Sequence, residues 1–210
     1  MRKYIFSVLI ALLSLPVIAQ QQSQAKVILD KTAEVFRKAG GVKADFTVKA
    51  VTNGLVEGAE NGTIQLKGEK FVLKTSDIIT WFDGKTQWSY VTKNDEVNVS
   101  NPTQEELQQI NPFAILRSVE KNYTPRRVKA PAGCSAVELI PGEKVRSPYA
   151  KVVLTVNDSS GLPEKIEVTS SDGVVTSIKI NSIKSIKVPG AGAFRFPAKQ
   201  YPGVEIIDLR

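Results

Sequence analysis

The chain has 210 residues, 42% of them hydrophobic and 23% charged, with a formal net charge of +7, no histidine and a single cysteine. That balance suits one domain with a sizeable core, and it excludes an internal disulfide, a histidine-based zinc site and a Ser-His triad. The excess positive charge is scattered as single Lys and Arg residues, which argues against nucleic acid and leaves only a mild attraction to anionic surfaces.

The N-terminus reads as a leader. Arg2-Lys3 form a basic n-region, Tyr4 to Leu15 are apolar apart from Ser7 and Ser14, and Pro16-Val17-Ile18-Ala19 ends the run. This is the pattern of a secretory signal peptide, with cleavage expected after Ala19. The apolar run falls short of the roughly 20 residues that span a bilayer. No cysteine stands at the cleavage position, so lipidation of the N-terminus is not indicated. Residues 20–210 are then expected to form a single domain, with Cys134 buried as a small hydrophobe.

Ser23 can cap a helix over about Gln24 to Ala39, whose face of Ala25, Ile28, Leu29, Thr32, Phe36 and Ala39 recurs at helical spacing. Arg37 and Lys38 suit the negative end of its dipole, and Gly40-Gly41 stops it. Alternating segments follow. In Val42 to Thr52, Ala44, Phe46, Val48 and Ala50 take one face. After the Asn53-Gly54 turn signal, a strand over Glu57 to Lys67 presents Ile64 and Leu66, and Phe71 with Leu73 mark the next short one.

Ile78 to Tyr90 then hold both tryptophans of the chain. Asp83-Gly84 is a two-residue type I′ hairpin signal. With that loop, Trp81 faces Thr86 and Ile79 faces Trp88. Alternation puts Ile79, Trp81, Trp88 and Tyr90 on one side of the sheet. That side is either core or the lining of a space for an apolar guest, and periodicity does not separate the two.

A short strand near Glu96 to Ser100 is followed by a change of pattern. Thr103-Gln104-Glu105-Glu106 is a capping box opening a helix to about Ile110. Asn111-Pro112 starts another, with Phe113, Leu116 and Val119 as its apolar residues. Strands resume over about Asn122 to Ala130, Cys134 to Ile140, Tyr149 to Asn157 and Glu164 to Ser170. A second hairpin signal, Asp172-Gly173, leads into Val174 to Ile186, and the chain closes through Phe194-Arg195-Phe196-Pro197 and Pro202 to Ile207. The layout is a mostly β protein: one wide antiparallel sheet of about ten or eleven strands, with three helices over its concave side. A sheet this wide tends to curl.

Signs of catalysis are lacking. Gly40-Gly41 and Gly190-Ala191-Gly192 have no phosphate-loop context, and Glu105 and Glu106 read as charges at a helix start. No cofactor or metal is expected, and the chain is read as a binding protein, not an enzyme. Helices this short leave a wide inner face underfilled, which fits a concave apolar pocket suited to acyl chains, each buried methylene contributing about 0.8 kcal/mol. The residues expected to wall it are Phe46, Val48, Ile64, Leu66, Phe71, Leu73, Trp81, Trp88, Tyr90, Phe113 and Leu116.

Several segments resemble the outer-membrane lipoprotein carrier proteins, the LolA-like family of the Gram-negative periplasm. They are Ala44-Asp45-Phe46-Thr47, Gly62 to Lys67, Asp83-Gly84-Lys85-Thr86-Gln87-Trp88-Ser89-Tyr90, the Asn111-Pro112 helix, and Phe194-Arg195-Phe196 with Pro202-Gly203-Val204-Glu205. The resemblance implies an unclosed antiparallel β-barrel with helices as a lid over a hydrophobic cavity. It also implies a periplasmic monomer that takes lipoproteins from an inner-membrane ABC transporter of the lipoprotein-sorting type and carries their acyl chains to the outer membrane, with an acceptor there as a further partner. Shuttling another envelope lipid or glycolipid, or sensing lipoproteins as a regulatory domain, are the alternatives. Two positions depart from the family pattern. Val48 stands where Gln is frequent, and Gly68-Glu69 stands where many members carry Arg-Pro, an arginine associated there with lid opening.

Overall fold

The computed structural model describes residues 2–52, 55–114, 122–147, 149–187 and 190–210, with side chains from residue 20 onward except those of Pro112 and Ala191. The expected turn at Asn53-Gly54 and the apolar positions Leu116 and Val119 lie outside the described residues.

The first element, α1, runs unbroken over Arg2–Ala39, so the leader and the expected helix from Gln24 form one element here. Gly40, at φ +67°, ends it in the left-handed conformation typical of a helix C-terminus. Ala25 and Thr32 are fully buried, and Ile28, Leu29 and Phe36 pack on the main core, as the helical spacing predicts. Twelve strands follow: β1 Val42–Thr52, β2 Leu55–Lys67, β3 Lys70–Lys74, β4 Ile78–Phe82, β5 Gln87–Val91, β6 Glu96–Ser100, β7 Tyr123–Val128, β8 Cys134–Pro141, β9 Tyr149–Asn157, β10 Pro163–Ser170, β11 Val175–Ser185 and β12 Glu205–Asp208. A helix α2, Gln104–Ile110, lies between β6 and β7.

All twelve strands form one sheet, in the order β12-β6-β5-β4-β3-β2-β1-β11-β10-β9-β8-β7. Two meanders, β1 to β6 and β7 to β11, are joined edge to edge by the long β1–β11 pair. The outermost strands, β12 and β7, do not pair, so the sheet is unclosed. Two differences from the sequence reading concern strands. The closing segment contributes a twelfth strand, and β12 runs parallel to β6, Glu205 beside Glu96, so the sheet is not wholly antiparallel. A parallel pair cannot be joined by a tight turn, and here the chain between β6 and β12 passes through α2 and β7 to β11 before it returns.

Of the three expected helices, α1 and α2 are found. Pro112–Ala114, where a third was expected to begin, forms a three-residue 3-10 turn within the described residues. The Thr103 capping box forms as its residues dictate: the Glu106 N–H donates to Thr103 Oγ1 at 3.3 Å, and the Thr103 N–H donates to Glu106 Oε2 at 2.7 Å. Cys134 is half-buried at the start of β8, and its thiol donates to Glu164 Oε2 at 3.3 Å.

The tryptophan hairpin also differs in its loop. β4 and β5 are joined by four residues, Asp83 to Thr86, and Trp81 faces Trp88 while Ile79 faces Tyr90. Only Gly84, at φ +100°, has left-handed backbone there. Asp83 instead uses its carboxylate, Oδ1 accepting from the N–H groups of Lys85 and Thr86 at 3.1 and 3.0 Å, an Asx turn that lengthens the loop. A slip of two residues preserves the face of every side chain, so the shared side of Ile79, Trp81, Trp88 and Tyr90 survives the change of register.

Candidate functional site

The main core joins residues of both meanders. Ala44 and Phe46 of β1, Ile64 and Leu66 of β2, Phe71, Phe82, and a wide set from β8 to β11 bury against α1, α2 and Phe113. Val42, Ala44 and Phe46 alternate buried with half-buried neighbours, so this inner face is the one that β1 turns toward the helices. Phe82 of β4 and Asn122, adjoining β7 near the opposite edge, line one cavity, which shows the sheet curled around the helices.

That cavity measures about 710 Å³. Its apolar wall comes from Phe36 of α1, Leu66, Phe71 and Phe82 of the sheet, Leu107 of α2, and Phe113. Arg37, Lys67, Glu69 and Gln104 contribute its polar lining. Arg37 is committed to Glu34, to which it donates two hydrogen bonds at 2.8 and 2.7 Å. Those bonds, with Lys38 beside them, hold the Glu34 carboxyl down to about 2. Gly68 and Glu69 form the two-residue loop between β2 and β3, Lys67 facing Lys70 across it. Gly68, at φ +56°, takes the first left-handed position of a type II′ hairpin. The positions where the family pattern expects Arg-Pro are thus a tight turn that contributes a carboxylate, Glu69, to this cavity.

A second cavity, of about 210 Å³, adjoins the first on the same inner face. Phe46, Val48, Ile64, Leu73, Val168 and Ile178 supply its sheet side, and Ile110 and Phe113 its cover. Phe113 lines both cavities.

The cover is tied to the sheet by polar contacts. The Tyr149 hydroxyl donates to the Gln108 carbonyl at 3.0 Å, and the Tyr123 hydroxyl donates to Gln108 Oε1 at 3.0 Å and lies 3.2 Å from Ser147 Oγ. Burial pushes the Tyr149 hydroxyl up to about 12, so it stays a donor well into the alkaline range. Asn111, buried, receives the Phe113 N–H on Oδ1 at 3.1 Å, which fixes the 3-10 turn that carries the phenyl ring.

Of the residues expected to wall a cavity, Phe46, Val48, Ile64, Leu66, Phe71, Leu73 and Phe113 line one or both of these spaces. Leu116 lies outside the described residues. Trp81, Trp88 and Tyr90 are elsewhere. Alternation along β3 and β4 sends Phe71 and Phe82 inward and Val72 and Trp81 outward, where Phe194 of the C-terminal segment buries with them. Trp81 meets Phe196 and Tyr201 edge-on, at centroid distances of 5.5 and 6.0 Å, and Tyr90 lies 4.7 Å from Tyr201. These rings are the core of the outer face, filled by the chain's own aromatics. The sequence reading missed Phe82, Leu107 and Phe36 as cavity lining. Phe82 was legible: it alternates with Trp81, so it lies on the opposite side of the hairpin from the tryptophans.

Among the described residues, no group of three His, Cys, Asp or Glu side chains is placed to hold a metal ion.

A mostly β, unclosed sheet with helices over an apolar cavity defines the class of the protein, and comparison with known proteins narrows it. A family model described as outer membrane lipoprotein carrier protein LolA matches residues 15–172. The chain therefore belongs to the LolA family. No curated protein matches it. An uncharacterized conserved protein from Thermus thermophilus has a similar structure, with a TM-score of 0.56 at 15% identity over 88% of this chain and 99% of that one. A protein domain from Vibrio parahaemolyticus described as outer membrane lipoprotein-sorting is similar with a TM-score of 0.50 at 12% identity, covering 82% of this chain and 97% of that one. A LolA superfamily protein from Nitrosomonas europaea also matches, at TM-score 0.48 and 15% identity, over 83% of this chain and 98% of that one.

Proposed function

We propose that this protein is a periplasmic carrier that shields the acyl chains of lipoproteins in its inner-face cavity and moves them from the inner to the outer membrane. In this reading residues 1–19 are a leader removed on export, and residues 20–210 act as one monomeric lid-covered half-barrel. The observation that carries it is the cavity of about 710 Å³ beneath α1 and α2, walled by Leu66, Phe71, Phe82, Leu107 and Phe113. Burial of hydrocarbon at about 0.8 kcal/mol per methylene is ample to hold an acyl chain out of water. Membership of a family described as lipoprotein carriers supports lipoproteins as the cargo class. An ABC transporter of the inner membrane is the expected donor, and an outer-membrane acceptor the expected recipient. The site binds and does no chemistry: apolar walls with a polar lining of Arg37, Lys67 and Glu69 hold a chain and leave its polar head in water.

The test is capture. The mature protein, incubated with membranes that carry the transporter and a labelled lipoprotein, is expected to release the lipoprotein into solution as a one-to-one complex. Failure to take up lipoprotein, with a peptide-free lipid found in the native protein by mass spectrometry, would replace this reading with a shuttle for another envelope lipid.

A further inference from the structure

The inner-face site is built as two chambers with one side chain between them. Phe113 belongs to the lining of the space of about 710 Å³ and of the space of about 210 Å³. Beneath it the floor is continuous. Leu66 faces Phe71 under the large chamber, and the next inward pair, Ile64 and Leu73, lies under the small one. These pairs are two residues apart along β2 and β3, a distance of about 7 Å. The division comes from above, from a ring that is 6% exposed and packs 6.3 Å from Phe36. That ring is mounted on a three-residue turn. Asn111, which receives the Phe113 N–H, and Phe36, against which it leans, keep it over the junction.

We infer that Phe113 sets the length of apolar chain the site accepts. Its ring is the end wall of the large chamber, and the small chamber behind it is reserve volume that a straight hydrocarbon chain enters only when the ring is removed or displaced. The ligand class is an unbranched acyl chain, one of those the carrier reading assigns to this cavity, lying along β2 and β3. The inference rests on the proposed function, since it concerns the same site.

A homologous series of saturated fatty acids, medium-chain to long-chain, competing with a fluorescent fatty acid on the mature protein, tests it. Each added methylene that finds room should tighten binding about fourfold, until the chain reaches the wall and the gain stops. In the wild type that plateau is expected at a shorter chain than in Phe113→Ala, where it should move outward by several methylenes while the shortest acids bind equally in both. Adding Val48→Phe to Phe113→Ala places a new ring in the small chamber and should return the plateau toward its wild-type position. Phe113→Leu, which keeps a buried apolar side chain, gives the same outward shift on a smaller scale and carries the test if the alanine variant does not fold. Plateaus at the same chain length in the wild type and in the folded Phe113 variants overturn the inference and leave the carrier reading standing. A wild type that binds no acid of any length overturns both.

Discussion

On the inner face, β1 to β4 and β8 to β11 meet two helices that leave spaces of about 710 and 210 Å³. On the outer face, β3 to β5 meet the C-terminal segment from Ala193 to Tyr201, whose Phe194, Phe196 and Tyr201 pack against Val72, Trp81, Trp88 and Tyr90. β3 and β4 serve both faces, with Phe71, Val72, Trp81 and Phe82 all buried. Beyond them the dry side changes over. Gln87 and Ser89 of β5 turn inward and hydrogen-bond at 3.0 Å, while Trp88 and Tyr90 turn outward. The contrast teaches that aromatic richness and capacity for a guest are separate properties. The face with the indole rings is covered by rings of its own chain, Trp81 meeting Phe196 and Tyr201 in edge-on pairs that are worth about 0.5–1.5 kcal/mol beyond burial. The inner face, which carries phenyl rings among aliphatic side chains, is covered by helices, one of them only seven residues long, and space remains.

The largest effect should come from cutting into the filled face. Trp81 is 5% exposed and touches both Phe196 and Tyr201, so Trp81→Ala is expected to cost about 3–5 kcal/mol of stability. Once corrected for the folded fraction, uptake of a fluorescent fatty acid should be unchanged. Weakened uptake by folded protein would break the separation of the two faces.

Gly62→Ala probes the inner face in the same way. Gly62 faces Phe46 across β1 and β2, and a Cβ there would lie 2.4 Å from Phe46 Cζ and 3.0 Å from the Lys74 carbonyl oxygen. The glycine is required by the ring that crosses it, not by its backbone angles. We expect a loss of about 1–3 kcal/mol from overpacking, accompanied by weaker uptake as the Phe46 ring is driven into the small chamber. Thermal melting and probe titration together read both parts. Full stability would show that the inner face yields where the outer one does not.

Much of this arrangement was legible in the residues. Strict alternation in Val42 to Thr52 and Glu57 to Lys67 fixed which side chains share a face. Thr103 with Glu106 fixed the start of α2, because a capping box satisfies two helix-end donors at once. The grouping of Ile79 with Trp81, Trp88 and Tyr90 was correct even with the wrong loop, since parity survives a slip of two. Which face those residues join was not legible. Phe194, Phe196 and Tyr201 stand more than a hundred residues away, and nothing local says on which side of the sheet that segment returns. Assigning the tryptophans to the cavity followed from placing their side of the hairpin on the inner face that short helices leave underfilled. The parallel β12–β6 pair was hidden for the same reason, and so was the partition by Phe113. Its one-dimensional signal is only an apolar residue after Asn-Pro.

A smaller effect should follow from loosening the cover of the inner face. Tyr149→Phe removes the hydroxyl that donates to the Gln108 carbonyl at 3.0 Å, a loss of about 1 kcal/mol, and should speed probe entry by freeing α2. The pH dependence has a definite sign. Burial raises this hydroxyl to about 12, above the ordinary tyrosine value of about 10. Its contribution is therefore complete below about pH 10 and is lost as pH rises toward the folded value. Denaturation of wild type and Tyr149→Phe across the alkaline range should show that part of the decline in the wild type alone.

The smallest effect belongs to the latch of the outer face, where Arg195 Nε donates to Asp83 Oδ2 at 2.9 Å and joins the C-terminal segment to the hairpin loop. Arg195 is 65% exposed, so Arg195→Ala is expected to cost about 0.5 kcal/mol, in the range of solvated ion pairs, and less at high salt. Burial alone would raise the Asp83 carboxyl. The N–H groups of Thr86 and Lys85 and the Arg195 guanidinium outweigh it and hold the group below its ordinary value. A depressed carboxyl stabilises the fold fully above the unfolded value of about 3.9 and loses that contribution as pH falls through the folded value. Arg195→Ala should therefore make the acid limb of the stability curve shallower below about pH 4 without altering it near neutrality. Because two of the three stabilising donors are backbone groups of the loop itself, part of the acid dependence should survive in Arg195→Ala and vanish in Asp83→Asn. If Arg195→Ala removed all of it, the Asx turn would owe its geometry to the C-terminal segment. The four-residue loop would then be a consequence of the packing on Trp81 and not of Asp83 alone.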